Sequence, residues 1–495
     1  MYLRFTRTMV PLAVLGLLAA LIGCGGGGSP VGNGPGLGNG DKSGLLQGQY
    51  AFSISGQNTA NGALVVVAGS FTADGNGRLS GTEDVNSHLG VHLVTFGGSY
   101  AIGADGRGNA VLGIDPGCPN WQLTMVSHAH GFFTCMNTDL TASGTIDLQD
   151  SSAFSTSKLT GNYVFGLSGL GLPTTTSSGG LVVMAGDWTM DGNGNLTGEM
   201  DVNDIGGVLQ DVALSGTYSV AADGRGTATI ASAYATQKFA FYIVNASDVK
   251  FVEIDSQPVV SGEVLTQAAS PFNLGVLNGT YAFTVGGTDS NNNPATLGGV
   301  FTADGKGTIS TGLLDSNDAG VVSLGNPATG TYGVNATGRG LLTFTSPSLQ
   351  LAFYAAANGT IELVDVDGKF GVAGMAKRQT GGPFAPSSFA GNYAINLTGT
   401  NLSSGEEDIS GQLQADGAGN LNGVLDINNS GSLFQAVSLS SSSYAINADG
   451  RGSASINTGP GNFATQVYVI DRNTALFLDA DTGRVLAGLA EKQQF

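Results

Sequence analysis

The chain is predicted to be all-β, built from four tandem repeats that each form an eight-stranded up-and-down barrel. Three observations carry that prediction. A turn segment, Gly69-Ser70-Phe71-Thr72-Ala73-Asp74-Gly75-Asn76-Gly77, returns in altered form around Asp191, Asp304 and Asp416, at intervals of 117, 113 and 112 residues (191 − 74, 304 − 191 and 416 − 304). A second marker, Tyr100 to Gly108, recurs as Tyr218 to Gly226, Tyr332 to Gly340 and Tyr444 to Gly452. A third opens each unit: Gly48-Gln49-Tyr50, Gly161-Asn162-Tyr163, Gly279-Thr280-Tyr281 and Gly391-Asn392-Tyr393. Self-similarity at a steady period marks a repeat architecture, here with units of ordinary domain size.

Within a unit the pattern is strand after strand. Tyr100, Ile102 and Ala104 alternate with Ala101 and Gly103, the period-two signature of a half-buried strand. Asp105-Gly106-Arg107-Gly108 then turns the chain, because Asp-Gly accepts the positive φ of a tight hairpin. In the second unit, strands are expected to begin near Tyr163, Leu181, Asn195, Val208, Gly224, Lys238, Val249 and Gly262. No segment sustains a helical period. Closing such a meander into a barrel removes its exposed edges. A two-sheet sandwich is the alternative. A propeller blade of about 45 residues is too short for these units. In the third unit the gap from the turn Asp to the next repeated Asp is one residue longer (315 − 304 against 84 − 74), which predicts a β-bulge. The Gly-x-Tyr opening and the unit size are similar to lipocalin-like and avidin-like barrels, which usually carry Trp where this chain carries Tyr.

The expected divisions are residues 1–23, a signal peptide; 24–44, a Gly-rich tether; and repeats at 45–150, 158–267, 276–379 and 388–493. Short linkers, two of them stiffened by Pro271, Pro383 and Pro386, suggest beads on a string with limited swing.

Composition points outside the cell. Asp+Glu number 37 against 18 Lys+Arg, a net charge of −19, which excludes a phosphate-binding surface for nucleic acid and favours solubility. Arg4 and Arg7 precede an apolar run from Met9 to Ile22, too short for a membrane span of about 20 residues. Leu21-Ile22-Gly23-Cys24 resembles the lipobox of bacterial lipoproteins. The resemblance implies cleavage before Cys24, lipidation of Cys24 and attachment to the cell envelope; Gly25, where an Asp would favour inner-membrane retention, points to the outer membrane. The tether, with a reach of roughly 25 Å, lets the first repeat stand clear of the headgroups. With Cys24 acylated, Cys118 and Cys135 remain, and an exported chain with an even remainder suggests one disulfide.

Candidate chemistry is sparse. The triplets Asp84-Val85-Asn86, Asp201-Val202-Asn203, Asp315-Ser316-Asn317 and Asp426-Ile427-Asn428 could offer oxygen ligands to Ca²⁺, but Arg78 stands where such a loop wants oxygen, and Asx-turn or strand-end hydrogen bonding is the stronger reading. All four histidines (His88, His92, His128 and His130) lie in the first repeat; His128 and His130 are weak candidates for a zinc site, with ordinary polar strand residues the favoured alternative. Asp255, Asp365 and Asp479 follow late strands and could serve as paired carboxylates, though strand-end Asp residues more often cap turns. Phe239, Phe241, Tyr242, Phe353 and Tyr354 read as barrel core, or as the lining of a ligand cavity. No catalytic residue and no cofactor is assigned.

These readings make the chain a lipid-anchored envelope protein with a structural, adhesive or multivalent binding role toward a glycan or a protein. A carrier of small apolar ligands inside lipocalin-like barrels is the alternative, and a secreted hydrolase a weaker one. The mature chain should begin at acylated Cys24 and partition with membranes. Cys24→Ala should accumulate as unprocessed precursor, which intact-mass measurement would reveal.

Overall fold

Strict alternation along the strands curls each repeat into its own closed barrel. The computed structural model describes residues 40–113, 118–172, 180–205, 207–255, 257–459 and 461–495; the signal peptide, Cys24 and most of the tether lie outside them. In the first barrel the strands are β1 (Gln47–Asn58), β2 (Leu64–Asp74), β3 (Arg78–Ser87), β4 (Gly90–Ile102), β5 (Arg107–Gly113), β6 (Asn120–Met125), β7 (His130–Cys135) and β8 (Leu140–Leu148). Each pairs antiparallel with the next, and β8 closes on β1, so every edge is hydrogen-bonded. The later barrels run from Thr160–Leu170 to Val259–Thr266, from Asn278–Asp289 to Phe370–Arg378, and from Ala390–Asn401 to Arg484–Lys492. In the last two the fourth strand is broken into two segments, Val321–Pro327 with Gly330–Val334, and Ser432–Ser438 with Ser442–Ile446. The barrel reading therefore holds over the sandwich, and the strand starts expected in the second repeat fall within three residues of those observed. The third-unit bulge is present: Thr302 faces Thr311 while Ala303 faces Ile309, leaving Ser310 extra.

Aromatic side chains fill the interiors. Tyr50, Phe52, Phe71, Trp121 and Phe133 are buried in the first barrel, with Trp121 stacked on Phe133 at 4.4 Å between centroids. Phe165 and Trp188 stack in the same way in the second. Burying one such ring stabilises by about 1.5–3 kcal/mol.

Each repeated marker has a mechanical role. Asp74 Oδ1 accepts from the backbone N–H of Asn76 and Arg78, pinning the hairpin between β2 and β3; Asp191, Asp304 and Asp416 do the same. The second-marker tyrosines close the barrel ends. Tyr100, Tyr218, Tyr332 and Tyr444 donate to the carbonyls of Leu46, Leu159, Leu277 and Phe389. The opening Tyr50, Tyr163 and Tyr393 tie the opposite side of the same rim, reaching the carbonyls of His128, Ala246 and Arg472.

The beads-on-a-string expectation is corrected. The four barrels pack side by side into a closed ring, and their outer strand faces are buried as well. Ala51, Val66 and Ala68, which point out of the first barrel, are buried against Ala240, Tyr242 and Val252 of the second. Val183 and Ala185 meet Ala352 and Tyr354 across the next seam, and Ala282 and Val300 meet Tyr468 and Leu478 across the third. The fourth barrel then returns to the first, with Ala394 and Leu489 on Val126 and Phe132.

The linkers are latches. The residue after each closing strand is a glutamine whose amide donates to the next barrel: Gln149 to Ile243 O, Gln267 to Thr337 O, and Gln379 to Asp449 O and Val469 O. Five residues later a phenylalanine, Phe154, Phe272 or Phe384, covers the turn glycine of that barrel (Gly224, Gly338 or Gly450), leaving no room there for a Cβ. The last three residues of the chain repeat the device on the first barrel. Gln493 donates to Asp105 O and Met125 O, Gln494 N to Val126 O, and Phe495 covers Gly106. Deleting residues 493–495 should weaken this last seam while every barrel stays folded. A fluorophore pair on the first and fourth barrels should show lengthening, with an unchanged far-ultraviolet spectrum.

Candidate functional site

The residues that chemistry would single out collect in two places, the seams between barrels and the ring axis. At each seam the arginine of the second marker reaches across to the previous barrel. Arg225 grips Asp84 with two bonds of 2.7 and 2.8 Å, Arg339 grips Asp201 at 2.8 and 2.7 Å, and Arg451 grips Asp315 at 2.8 and 2.7 Å. The ring closes because Arg107 of the first barrel meets Asp426 of the fourth at 2.7 Å. Planar, two-pronged guanidinium–carboxylate pairing is the strongest form such a contact takes. A buried tyrosine, Tyr242, Tyr354 or Tyr468, adds a third bond of 2.7 Å to the same carboxylate at three seams. The fourth has Thr124 in that position, opposite Arg107 in the strand register.

The asparagine of each triplet completes the seam. Asn86 donates to the carbonyls of Glu253 and Asp255, Asn203 to Asp365 and Phe370, Asn317 to Asp479, Asp481 and Arg484, and Asn428 to Cys135, Asn137 and Leu140. In three barrels the aspartate also caps a bulge: Asp201, Asp315 and Asp426 accept from the N–H of Asp211, Gly325 and Ala436, which hold φ of 55°, 69° and 52°. Neither the calcium reading nor the simple strand-end reading anticipates this: the triplets are inter-barrel connectors. Arginine is the functional residue that sequence reasoning missed, although its recurrence within the turn was visible.

The other candidates scatter. Cys118 and Cys135 are joined, with Cα atoms 5.7 Å apart, beside the seam that Asn428 completes. His128 lies in a turn with Nδ1 2.9 Å from Leu45 O, whereas the His130 ring engages Asp147 and Glu491, so the two histidines take separate partners. Among the described residues no group of three or more His, Cys, Asp or Glu is placed to hold a metal ion. Asp365 and Asp479 cap turns, accepting from the N–H of Asp367 and Asp481. Their counterpart in the second barrel is Glu253, and Asp255 corresponds to Asp367 and Asp481, a two-residue shift from the sequence alignment. Phe239, Phe241 and Phe353 are core, while Tyr242 and Tyr354 belong to the seams.

On the axis a charge relay joins three barrels. Glu491 of the fourth lies 3.4 Å from His130, which is 2.6 Å from Asp147; Lys250 of the second lies 2.9 Å from Asp147 and 3.1 Å from Glu263. Burial alone would lower the Lys250 ammonium, but Asp147, Glu263 and Asp248 hold it well above its usual value. Burial likewise opposes charge on His130, and Asp147 with Glu491 overrides it, raising the imidazole. Glu362 of the third barrel, buried near Glu263, is pushed up to about 8.

No family model matches the chain, and no curated protein matches it. Among solved structures, intact Ap-TbpB (N and C lobes) aligns with 91% of this chain and 96% of its own, at 11% identity and a TM-score of 0.20. A superposition that loose carries no argument about arrangement or activity.

Two expectations follow from the seams and the axis. Arg339→Gln leaves Asp201, fully buried, without its cation, and should cost about 3–5 kcal/mol in urea unfolding; adding Asp201→Asn should restore much of the loss. The second concerns pH. Burial raises Asp365 to about 7, Glu362 and Asp479 to about 8 and Glu253 to about 9. Groups raised by folding contribute stability that is complete below their unfolded values and is lost as pH rises through the folded ones, and His130 has the same sign. Asp147 is lowered, so its contribution is constant above pH 5. Melting temperature should therefore fall between pH 5 and pH 9, and His130→Gln should narrow the difference.

Proposed function

We propose that the chain is a lipid-anchored cell-envelope protein acting as one rigid platform that binds a protein or a glycan on its outer surface. The observation that carries this reading is the packing: barrel interiors filled by aromatic side chains, in barrels interlocked edge to edge, leave recognition to the outside of the ring. Cys24 and the Gly-rich tether supply the anchor by their resemblance to lipoproteins.

The tether also gives the platform a direction. Lys42 N donates to Ile102 O, so the chain enters at the rim where β4 ends. The hairpins between β1 and β2 and between β3 and β4 lie at the opposite rim. Large apolar side chains stand out there: Leu89 is 70% exposed and Val321, in the equivalent hairpin of the third barrel, 73%, with Leu402 on the fourth. An apolar rim facing away from the anchor suits contact with a macromolecule. The carrier alternative needs hollow barrels, and the packed cores weigh against it.

The test compares retention of the full chain on cell-wall, polysaccharide and envelope-protein preparations with that of a Leu89→Ser/Val321→Ser/Leu402→Ser variant. Retention should fall at least several-fold while the melting temperature holds. Unchanged retention, or a small apolar molecule extracted in stoichiometric amount from denatured barrels, would count against the reading.

A further inference from the structure

The ring axis holds a cavity of about 640 Å³ that no single barrel contains. It lies within the ~300–1,000 Å³ range of small-molecule sites. Its walls come from all four barrels because the opening strands converge on the axis and turn their outer faces to it. Five residues after each opening tyrosine stand Ser55, Ser168, Gly286 and Thr398, all of which line it. Small side chains at that level keep the axis open.

The lining combines an apolar body with few polar groups. Leu181, Val183, Met375 and Leu489 form apolar wall. Thr296, only 5% exposed, lines the cavity with a hydroxyl that has no hydrogen-bond partner, and the Thr288 hydroxyl beside it is also unpartnered. Orphaned buried hydroxyls in a cavity wall are groups a ligand can satisfy. Among the described residues Glu406 is the one charged side chain in the lining, and no lysine or arginine accompanies it. Its neighbour Asp408 is fully buried, with one oxygen taking the Ser143 hydroxyl at 2.7 Å and the other unpartnered. Arg484, the cation closest in sequence logic, is committed to Glu407 at 2.7 Å. Glu406 thus stands at an apolar cavity with the Asp408 carboxyl as its neighbour, and among the described residues neither has a paired counter-ion. A ligand ammonium would supply it and relieve their mutual repulsion.

We infer that the axial cavity is a binding site for a small organic ammonium compound with an apolar body, which lays its hydrocarbon against Leu181, Val183, Met375 and Leu489 and its charge against Glu406. Such a site exists only in the closed ring. It is separate from the surface contact proposed above, and neither depends on the other.

Dansylcadaverine, an apolar fluorophore bearing a primary ammonium, serves as the probe, with its N-acetylated form as the uncharged control and the full chain as receptor. Saturable fluorescence enhancement is expected, with the ammonium form binding about tenfold more tightly. Glu406→Gln should remove that preference and leave the weaker binding of the acetylated form. Ser168→Phe should block both probes by filling the cavity; Thr398→Phe, from the fourth barrel, does so independently if the first variant fails to fold. The inference is overturned by equal affinity for the two probes, by binding that survives a filled cavity in a folded variant, or by no saturable binding of either probe.

Discussion

Everything in this molecule depends on a buried carboxylate that its own barrel cannot neutralise. Asp84, Asp201, Asp315 and Asp426 sit on third strands with their side chains turned outward and are almost wholly buried. An ionised carboxylate in that position is tolerable only with a paired cation and further hydrogen bonds. The cation always belongs to the next barrel. Each barrel is therefore electrostatically incomplete by itself, and the need passes round until Arg107 answers Asp426. Four barrels on a string would leave a terminal aspartate and a terminal arginine unmatched. Ring closure removes both ends.

That logic sorts what the sequence could reveal from what it could not. Barrels are local objects: alternation at Tyr100, Ile102 and Ala104 and the Asp-Gly turns specify strands and hairpins within a few residues, so the meander could be read directly. Seams are not local. Arg225 and Asp84 are 141 residues apart and Arg107 and Asp426 are 319 apart, and no pattern within one repeat announces that the outer face of a strand will be covered. The signal lay in economy. The chain has only 18 Lys and Arg, yet one arginine occupies the same turn position in all four repeats, including the third, where Thr337 stands in place of the turn aspartate. Gln493 and Phe495 similarly echo Gln149 and Phe154, and the barrel they latch is the first. Read together, the arginines and this echo describe a cycle.

The cycle is not uniform. Three seams are crossed by the chain itself, so their barrels stay close whatever the seam energy. The fourth is closed by side chains and the last three residues alone. It also lacks the tyrosine found elsewhere, with Thr124 in its place, and its apolar contact is small, centred on Val126, Phe132, Ala394 and Leu489. The Cys118–Cys135 link lies on the first barrel's side of this seam, where Asn428 binds the Cys135 carbonyl. A constraint placed there holds the receiving carbonyls of Cys135, Asn137 and Leu140 in register for the one contact that has no covalent backing. The histidine relay from Glu491 through His130 to Asp147 spans the same seam. All four seams rest on arginine, which does not titrate in the relevant range, and closure adds to the Arg107–Asp426 pair a disulfide and a histidine relay that respond to oxidation state and to pH.

The axis follows from the same geometry. Turning each opening strand outward to its neighbours brings four such strands together, and two levels of side chain result. Near the tether rim the closing strands place Asp147, Lys377 and Glu491 opposite Ala51, Ala282 and Ala394, and Asp147 and Glu491 there pair with Lys250 and His130. Farther along, Ser55, Ser168, Gly286 and Thr398 are too small to meet, and a space remains. Filling it with larger apolar residues would have added burial to the ring. The open level sets the carboxyl of Glu406 and the unpartnered hydroxyls of Thr288 and Thr296 around one volume, at the end of the axis away from the tether. An axis built only for stability would be packed along its whole length; this one is occupied by charged side chains at the end nearer Lys42 and stays open at the other, where Glu406 lines it.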